Sequence, residues 1–261
     1  MVVPTRSMKS VNGSDPLIPT LLIGATSAIG EQLARHLAVA RVPLYLTARN
    51  RSRVETIAAD LMVRGSPKVI TEELDITDTL GLLGLVPRAS AALGGLGCII
   101  FVAGQLPDQE LVNANPDNLR ATLEINAISA MLVLNEAANF FEYQGHGQLV
   151  AIGSVAGDRG RATNYAYGAA KGALEIFLSG LRQRLHQSGV QVLLVKPGFV
   201  DTPMTAAFKK GLLWASPERV ATDIVHAMDR GKAVIYTPGW WRWIMLVIRL
   251  FPESLFVRLR F

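Results

Sequence analysis

Short apolar segments alternate with longer segments of helical periodicity along most of the chain. Seven segments have the pattern of strands: TLLIGA, PLYLTAR, KVITEELD, LGCIIFVAG, GQLVAIGSVAG, VQVLLVKPGFV and KAVIYTPG. Between them, apolar residues recur with helical spacing, which predicts helices in AIGEQLARHLAVAR, SRVETIAADLMVR, TLGLLGLVPRASAAL, NLRATLEINAISAMLVLNEAANFFEYQ, YAYGAAKGALEIFLSGLRQRLHQ and SPERVATDIVHAMDRG. Because several strands are almost uniformly apolar, the pattern predicts an α/β fold whose parallel sheet is buried on both faces.

The order of the segments also predicts the domain organisation. Right-handed crossovers between about seven parallel strands produce a Rossmann-like, doubly wound sheet with helices on both faces. Residues 20–239 form this single domain, since no internal repeat or change of composition marks a second one. Residues 1–19, rich in Pro, Gly, Ser and Asn, predict a flexible leader, and residues 240–261 predict a short amphipathic C-terminal helix rich in Trp and Arg.

Composition excludes several classes of protein. Half of the residues are hydrophobic, which suits a large core and argues against disorder. Cys98, the one cysteine, excludes a disulfide framework and a cysteine-rich zinc site, and none of the four histidines has a plausible set of partner ligands, so we expect no metal. No apolar run reaches the roughly 18 residues of a spanning helix, and we expect a cytoplasmic protein.

The net charge of +5 is concentrated near the C-terminus. Residues 231–261 hold a net charge of +4, because one carboxylate, Glu253, stands against five cations: Lys232, Arg242, Arg249, Arg258 and Arg260. The other 230 residues carry only +1. The basic balance is therefore a property of this segment, and we expect no nucleic-acid partner.

The first strand and helix are joined by a glycine turn that is typical of a dinucleotide site. In this context the helix N-terminus points its free N–H groups and its dipole at a pyrophosphate. Ala28 stands where a middle glycine is often found, and two hydroxyls add further donors. The alternative is a plain strand-to-helix turn. The predicted cofactor contacts here are Gly24, Thr26, Ser27, Ile29 and Gly30.

The end of the second strand favours NADP(H) over NAD(H). Rossmann units that bind NAD place an acidic residue there to hold the ribose hydroxyls, but this chain has Ala48 followed by Arg49. Arg49 can bind a 2′-phosphate in bidentate fashion, the alternative being a solvated arginine at a helix start. Asp75, followed by Ile76, ends the third strand, where its carboxylate can accept from the adenine amino group.

Two tyrosines and a lysine lie in the stretch NYAYGAAKGALE. Residues four apart differ by about 40° around a helix, so Tyr167 and Lys171 share a face. Tyr165 is six residues from Lys171 and lies on another face, which suggests a packing residue near the site mouth. Ser154 ends the fifth predicted strand, 13 residues before Tyr167, and Asn126 lies in the middle of a predicted helix.

With these four residues the chain resembles the short-chain dehydrogenase/reductase family of the classical type, from about Thr20 to Gly239. The resemblance implies a hydride-transfer oxidoreductase with Asn126, Ser154, Tyr167 and Lys171 as its catalytic residues. Chemically, a neighbouring ammonium and the positive nicotinamide ring of an oxidised cofactor both favour the phenolate. We therefore expect Lys171 and that ring to lower the pKa of Tyr167 and make it a proton shuttle. The resemblance adds that Lys171 binds the nicotinamide ribose, Ser154 bonds the carbonyl oxygen and Asn126 anchors a water.

Other family segments are present with departures. FVAG stands where the family usually has an Asn-Asn-Ala-Gly run, so that Ala103 and Gly104 match while Phe101 and Val102 do not. KPGFVDTPM matches the segment after the sixth strand. The resemblance implies that it lines the nicotinamide and its phosphate through Pro197, Val200 and Thr202.

The segment PMTAAFKKGLLWAS falls where this family has its substrate lid, and its side chains are largely apolar. Arg159 and Arg161 lie between Ser154 and Tyr167, so an anionic head with an apolar tail would suit the site. The alternative is that the arginines are solvated and the lid closes over any small ketone. The substrate residues expected on this basis are Arg159, Arg161, Tyr165, Met204, Phe208 and Trp214.

The C-terminal segment GWWRWIMLVIRLFPESLFVRLRF combines Trp with Arg, which suits a membrane interface. The alternative is a tail that docks on a neighbouring subunit. Three segments are similar to the subgroup that contains decaprenylphosphoryl-2-keto-pentose reductases: this C-terminal segment, GDRGRATNYAYGAAKGALEIFLSGLRQRL and KPGFVDTPMT. That likeness implies a keto sugar on a polyprenyl phosphate, reduced at the inner face of the membrane.

Two other functions stay open. One is a cytosolic enzyme that acts on a small ketone or an acyl chain, and the other is a dinucleotide sensor without catalysis. The complete set of four catalytic residues argues against a sensor, which needs no proton donor. The family resemblance also implies a homodimer or homotetramer packed through the helices at 118–144 and 165–187.

Overall fold

A computed structural model of the protein describes residues 18–259, so the first 17 residues of the expected leader and the last two residues of the C-terminal segment lie outside it. Within that range seven strands form one parallel sheet in the order β3-β2-β1-β4-β5-β6-β7. This confirms the predicted Rossmann-like sheet. The strands are β1 (Thr20–Ile23), β2 (Leu44–Ala48), β3 (Val69–Glu73), β4 (Cys98–Phe101), β5 (Gly147–Ile152), β6 (Val190–Pro197) and β7 (Val234–Thr237).

Helices cover both faces of the sheet. One core packs the sheet against α4, α7 and α8, and a second packs its other face against α1, α2 and α9. Successive residues of β1 alternate between these cores, since Leu21 and Ile23 face the first and Leu22 the second. The helices are α1 (Ala28–Val39), α2 (Arg51–Val63), α3 (Thr79–Leu82), α4 (Leu85–Leu93), α5 (Gln109–Ala114), α6 (Pro116–Leu123), α7 (Ser129–Gln144), α8 (Tyr165–Leu185), α9 (Pro217–Asp229), α10 (Trp241–Leu250) and α11 (Glu253–Phe256).

Three predicted helices are interrupted. The segment 79–93 divides into α3 and α4 because Gly84 adopts a left-handed conformation, with φ 72°. The segment 118–144 contains a π-helical turn, Glu124–Ile128, between α6 and α7. The C-terminal segment forms α10 and α11 because Phe251, which precedes Pro252, is extended.

The strand order places a crevice at the carboxyl ends of β1 and β4. β1 pairs with β2 on one side and β4 on the other, so the chain reverses its direction across the sheet after β3. Ligands of doubly wound folds bind at this switch point. The glycine turn before α1, Ser154 and the first turns of α8 lie at this edge, and Asn126 lies in the π-helical turn between α6 and α7. No helix within residues 18–259 is long and apolar enough to cross a membrane.

Candidate active site

The turn between β1 and α1 can receive a dinucleotide phosphate. Gly24 has a φ of 88°, and a Cβ at Gly30 would lie 2.5 Å from the Gly24 carbonyl oxygen, so glycine is needed for α1 to begin this close to the turn. The backbone N–H groups of Ala28 and Ile29 have no acceptor among residues 18–259. They stand at the positive end of the helix dipole, where an anion is stabilised.

The two hydroxyls of this turn differ in their contacts. Ser27 Oγ accepts from the Gly30 N–H at 3.1 Å and donates to the Gly24 carbonyl oxygen at 2.8 Å. The Ser27 proton is therefore used within the turn, which corrects the expectation of a hydroxyl donor to the cofactor. Thr26 makes no side-chain hydrogen bond within the described range and keeps its donor.

Arg49 is an exposed cation at the carboxyl end of β2. It forms no hydrogen bond or ion pair with any residue of 18–259, whereas Arg51 pairs with Glu55 at 2.9 Å and Arg53 with Glu31 at 3.6 Å. Of these three arginines, Arg49 is thus the one whose guanidinium is available to a phosphate.

Asp75 keeps one carboxylate oxygen open. Its Oδ1 accepts from the backbone N–H of Thr77 at 2.9 Å and from the Thr77 hydroxyl at 2.8 Å. These hydrogen bonds, with the charge of Arg49 as a smaller contribution, lower the pKa of Asp75. The neighbouring Ile76 is buried in the core and fixes the position of this strand end.

Ser154, Tyr167 and Lys171 meet at the carboxyl end of β5. Ser154 begins a 3₁₀ turn, Val155–Asp158, where its hydroxyl accepts from the Ala156 N–H at 3.1 Å and lies close enough to the Tyr167 phenol to lower the pKa of that group. Lys171 Nζ lies 5.8 Å from the centre of the Tyr167 ring and donates to the Ile152 carbonyl oxygen at 2.9 Å. The helical phase that selected Tyr167 over Tyr165 thus agrees with the three-dimensional arrangement.

Glycines allow the 3₁₀ turn to contact α8 at backbone distance. A Cβ at Gly157 would lie 2.9 Å from the backbone nitrogen of Gly172, and one at Gly168 would lie 2.8 Å from the Ala156 carbonyl oxygen. Any side chain at these positions would separate the turn from the helix. The serine and the tyrosine are therefore held near each other by close backbone packing of the turn against the helix.

Burial controls the protonation of Tyr167 and Lys171. It raises the pKa of Tyr167 to about 12, against a smaller lowering by the Ser154 hydroxyl. Burial also lowers the pKa of Lys171 to about 8. Loss of hydration thus dominates the pKa of Tyr167 in the protein without its cofactor. The lowering expected from Lys171 together with an oxidised nicotinamide ring stays a prediction.

Asn126 lies in the π-helical turn with both ends of its amide bound. Its Oδ1 accepts from the Gln105 N–H at 2.9 Å, and its Nδ2 donates to the Thr122 carbonyl oxygen at 3.0 Å. A Cβ at Gly104 would lie 3.0 Å from Asn126 Oδ1 and 3.5 Å from Lys171 Nζ. Asn126 thus joins the end of β4 to the helix and lies beside the lysine, next to a cavity of about 160 Å³.

The model of the short chain dehydrogenase family matches residues 20–212, which include all four of these side chains. The chain belongs to the short-chain dehydrogenase family.

Individual relatives agree with this assignment. An uncharacterized oxidoreductase of Mycobacterium tuberculosis is 35% identical over 241 residues, covering 92% of this chain and 96% of the relative. A bulky-bulky ketone specific alcohol dehydrogenase from Comamonas testosteroni has a TM-score of 0.78 at 24% identity, covering 93% of this chain and 95% of its own. An alcohol dehydrogenase from Thermococcus sibiricus, complexed with 5-hydroxy-NADP, has a TM-score of 0.75 at 20% identity, covering 84% and 95%.

These findings confirm an oxidoreductase of the hydride-transfer type with a nicotinamide dinucleotide as its cofactor. The solved structures share the fold, and the family match carries the reaction class.

In this short-chain dehydrogenase the segment after β6 lies beside the serine turn, because β6 pairs with β5. Pro197 is the last residue of β6, and Val200 is buried and forms a single bridge with Ala215. Thr202 begins a 3₁₀ turn, Pro203–Thr205, with its N–H donating to the Thr205 hydroxyl at 3.2 Å. At the end of β4, Ala103 lies next to Gly24, in keeping with the expected cofactor crevice.

Arg159 does not face an open substrate mouth. Its guanidinium donates to the Phe251 carbonyl oxygen at 2.6 Å, pairs with Glu253 at 2.6 Å and lies 3.7 Å from the centre of the Phe256 ring. It also donates to the Ile248 carbonyl oxygen. The expected substrate role is therefore corrected: Arg159 fixes α10 and α11, a contact between distant parts of the chain that local sequence does not reveal.

Arg161 and Tyr165 are also engaged within the protein. A guanidinium nitrogen of Arg161 lies 3.5 Å from Met245 Sδ of α10, and burial lowers the pKa of Arg161. The Tyr165 hydroxyl donates to Asn113 Oδ1 at 2.6 Å, while half of the side chain is exposed. Arg161 thus faces the C-terminal helix rather than solvent, and Tyr165 joins α8 to α5.

The lid presents apolar side chains, and Phe199 joins it to α10. Met204 and Phe208 are about half exposed. Trp214 stacks on Phe199 with 5.4 Å between ring centres, and Phe199 meets Trp241 edge-to-face at 5.3 Å. Sequence reasoning did not single out Phe199, although its place between Gly198 and the lid was a usable signal.

A buried lysine was also missed. Lys196, at the end of β6, is 1% exposed and pairs with Asp158 of the serine turn and, at 2.7 Å, with Glu175 of α8. Burial opposes its charge, but these hydrogen bonds raise the pKa of Lys196. The ion pairs fix the end of the serine turn, and the signal was a lysine inside the apolar strand LLVKP.

Proposed function

We propose that the protein is an NADP(H)-dependent reductase in which Tyr167 protonates a ketone oxygen. The grouping of Ser154, Tyr167 and Lys171 carries the proposal. When bound, the cofactor supplies hydride to the carbonyl carbon. Burial raises the pKa of this phenol, so it is protonated at neutral pH and carries the proton that a ketone oxygen must receive.

The other three residues act around this proton. Ser154 bonds the same carbonyl oxygen and orients it towards the phenol. Lys171 Nζ uses one donor on Ile152 and has two left for ribose hydroxyls. Asn126 anchors a water in the adjoining cavity, which is large enough and polar enough to hold one. This water replaces the proton that Tyr167 gives to the substrate.

The cofactor fits the glycine turn and the end of β2. The free N–H groups of the first turn of α1 suit the pyrophosphate, and Arg49 suits a 2′-phosphate, so we propose NADP(H) rather than NAD(H). Asp75 and Ile76 hold the adenine end. Ala103, Gly104, Pro197, Val200 and Thr202 line the nicotinamide end.

For the substrate we propose an amphiphilic ketone such as a keto sugar on a polyprenyl phosphate, as in the subgroup that the sequence resembles. The apolar lid supports this class, because Met204, Phe208 and Leu213 all expose more than two-fifths of their surface in the chain alone. We further propose that residues 240–261 contact the inner face of the membrane. Exposed Ile128, Leu132 and Ile176 on the central helices support a homodimer or homotetramer.

A substitution of the proton donor tests the reaction. Tyr167→Phe should lower kcat by roughly 100-fold to 10,000-fold, the usual contribution of a general acid, while NADPH binding persists. NADPH oxidation with a panel of small and lipid-linked ketones measures kcat, and cofactor fluorescence measures binding.

Two tyrosines serve as comparisons. Tyr143→Phe, at a position 97% exposed, should behave as the parent enzyme. Tyr165→Phe should keep the kcat of the parent, and any effect of this substitution should fall on KM. Turnover that survives in Tyr167→Phe, or that is lost equally in Tyr165→Phe, would show that Tyr167 is not the acid.

A further inference from the structure

An open groove runs between the edge strand β7 and the helix α10, apart from the catalytic residues. Its volume is about 740 Å³. β7 is the last strand of the sheet, so α10 forms the opposite wall of the groove. The groove is lined by Lys232, Val234, Ile235, Tyr236, Gly239, Arg242, Trp243, Leu246 and Arg249.

The charged lining of this β7–α10 groove is entirely cationic. Lys232, Arg242 and Arg249 are exposed, and none of them forms an ion pair with a carboxylate among residues 18–259. The nearby carboxylate of the C-terminal segment, Glu253, is already paired with Arg159. Three cations that have no carboxylate partner in the described part of the chain surround one groove, although the Arg242 guanidinium also lies 5.8 Å from the centre of the Trp243 ring. Such a groove attracts a multiply charged anion such as a phosphate group.

The outer face of α10 continues the groove as an apolar surface. The helix buries Trp241 and Met245 against the domain. On the other side Trp243, Val247 and Leu250 are 65%, 63% and 75% exposed. Their spacing of three and four residues places them on one face of the helix. Aliphatic and indole surface beside cations is the arrangement of a helix that lies in a membrane interface.

We propose that the β7–α10 groove binds the phosphate headgroups of an anionic lipid surface, with the outer face of α10 at the boundary of the acyl chains. The inference locates the membrane contact proposed above and rests on it, but it does not depend on the reductase chemistry. A second copy of the chain is disfavoured as occupant, since a two-fold interface would bring the same three cations together. Nucleic acid would leave Val247 and Leu250 uncovered.

Vesicle sedimentation tests the proposal with the full chain. The protein should bind vesicles of phosphatidylcholine with phosphatidylglycerol and not vesicles of phosphatidylcholine alone. The double variant Arg242→Gln/Arg249→Gln should bind the anionic vesicles about 30-fold more weakly, because each cation near such a surface contributes a factor of several. Val247→Ser/Leu250→Ser should also weaken binding, and this loss should persist at high salt, unlike the electrostatic part.

The matched control Arg41→Gln/Arg120→Gln removes two exposed cations from other surfaces and should bind as the parent does. NADPH binding and circular dichroism confirm that each variant is folded. If Arg41→Gln/Arg120→Gln loses as much vesicle binding as Arg242→Gln/Arg249→Gln, the effect reflects net charge only and the proposal is overturned. It is also overturned if the full chain ignores anionic vesicles, or if the groove variants change only the molecular mass in solution, which would assign the groove to self-association. These outcomes are independent of Tyr167 and of turnover.

Discussion

Arg49 is the residue on which the choice of cofactor depends. It has no ion-pair partner among residues 18–259, while Arg51 and Arg53 are paired with Glu55 and Glu31. Arg49→Ala should therefore weaken NADPH binding by about 30-fold and leave NADH almost unchanged, because a charge-assisted contact with the 2′-phosphate contributes about 2 kcal/mol. Fluorescence titration with both cofactors measures the ratio of dissociation constants.

Arg51→Ala is the matched control. It removes an equal charge two residues after Arg49, from a side chain that is already paired with Glu55. It should shift the two cofactors equally and only slightly. If Arg49→Ala weakens NADH as much as NADPH, the arginine does not read the 2′-phosphate.

For single residues, the sequence predicted the place of a residue on its helix better than the contacts of its side chain. Tyr167 and Lys171 followed from helical phase, because four residues in a regular helix fix a shared face. Arg159 was misplaced because its partners lie about ninety residues away in α10 and α11. The raised pKa of Tyr167 also escaped prediction, because burial is a property of the packed site and not of its neighbours in sequence.

Among the elements, the C-terminal helices are attached to the domain at both ends of their segment, and buried Met245 packs between the two attachments. Trp241 packs directly on Gly198, where any side chain would overlap the indole. At the other end Arg159 binds the carbonyl oxygens of Ile248 and Phe251 and the carboxylate of Glu253. Carbonyls at a helix C-terminus lack partners within the helix, so the guanidinium acts as a cap supplied by the serine turn.

Removal of this cap should loosen the C-terminal helices while the sheet stays intact. In Arg159→Met the amides of residues 250–257 should exchange with deuterium about 30-fold faster, because hydrogen bonds to a charged donor contribute about 2 kcal/mol to local closure. Hydrogen exchange followed by mass spectrometry measures the rates. Arg258→Met, in the same segment, should leave the rates unchanged. If Arg159→Met is as well protected as the parent, the packing of Trp241 and Met245 is enough to hold the helices.

The elements that sequence reasoning divided wrongly share a physical cause. Periodicity records which residues are apolar, and it continues across Gly84 and across the π-helical turn at Asn126, where the apolar spacing is kept. What changes there is the backbone conformation. At Asn126 the Thr122 carbonyl oxygen accepts from the asparagine side chain, a hydrogen bond that no hydrophobic pattern records.

For the whole molecule, the sheet was the most predictable feature because its strands are buried on both faces. Leu21, Leu22 and Ile23 are all fully buried, which left their segment no other place than the middle of the sheet. The position of the C-terminal segment was less predictable, since an amphipathic helix can bury its apolar face on its own domain, on a subunit or on a lipid surface. In this chain α10 buries one apolar face and exposes another.

Burial of the Lys171 ammonium should lower the free energy of unfolding of the whole domain. Burial lowers the pKa of this group from 10.5 to about 8, so between these values the unfolded chain holds a proton that the native protein lacks. The free energy of unfolding attributable to Lys171 therefore rises with pH across this window, and the full cost is present below pH 8. The stability of Lys171→Met relative to the parent should therefore be about 3 kcal/mol more favourable at pH 7 than at pH 10.5. Loss of the hydrogen bond to the Ile152 carbonyl oxygen subtracts from this advantage at every pH.

Urea unfolding at several pH values measures the stability difference between the variant and the parent. It should fall by about 3 kcal/mol as the pH rises from about 8 to 10.5, the range set by the two pKa values. Lys209→Met, at an exposed lid position, should show no such dependence. The same Lys171→Met variant should lose turnover, so the domain would gain stability at the expense of its proposed chemistry. A variant less stable than the parent at pH 7, with a gap that does not change with pH, would mean that the ammonium is stabilised in the native site and that burial is not what sets its pKa.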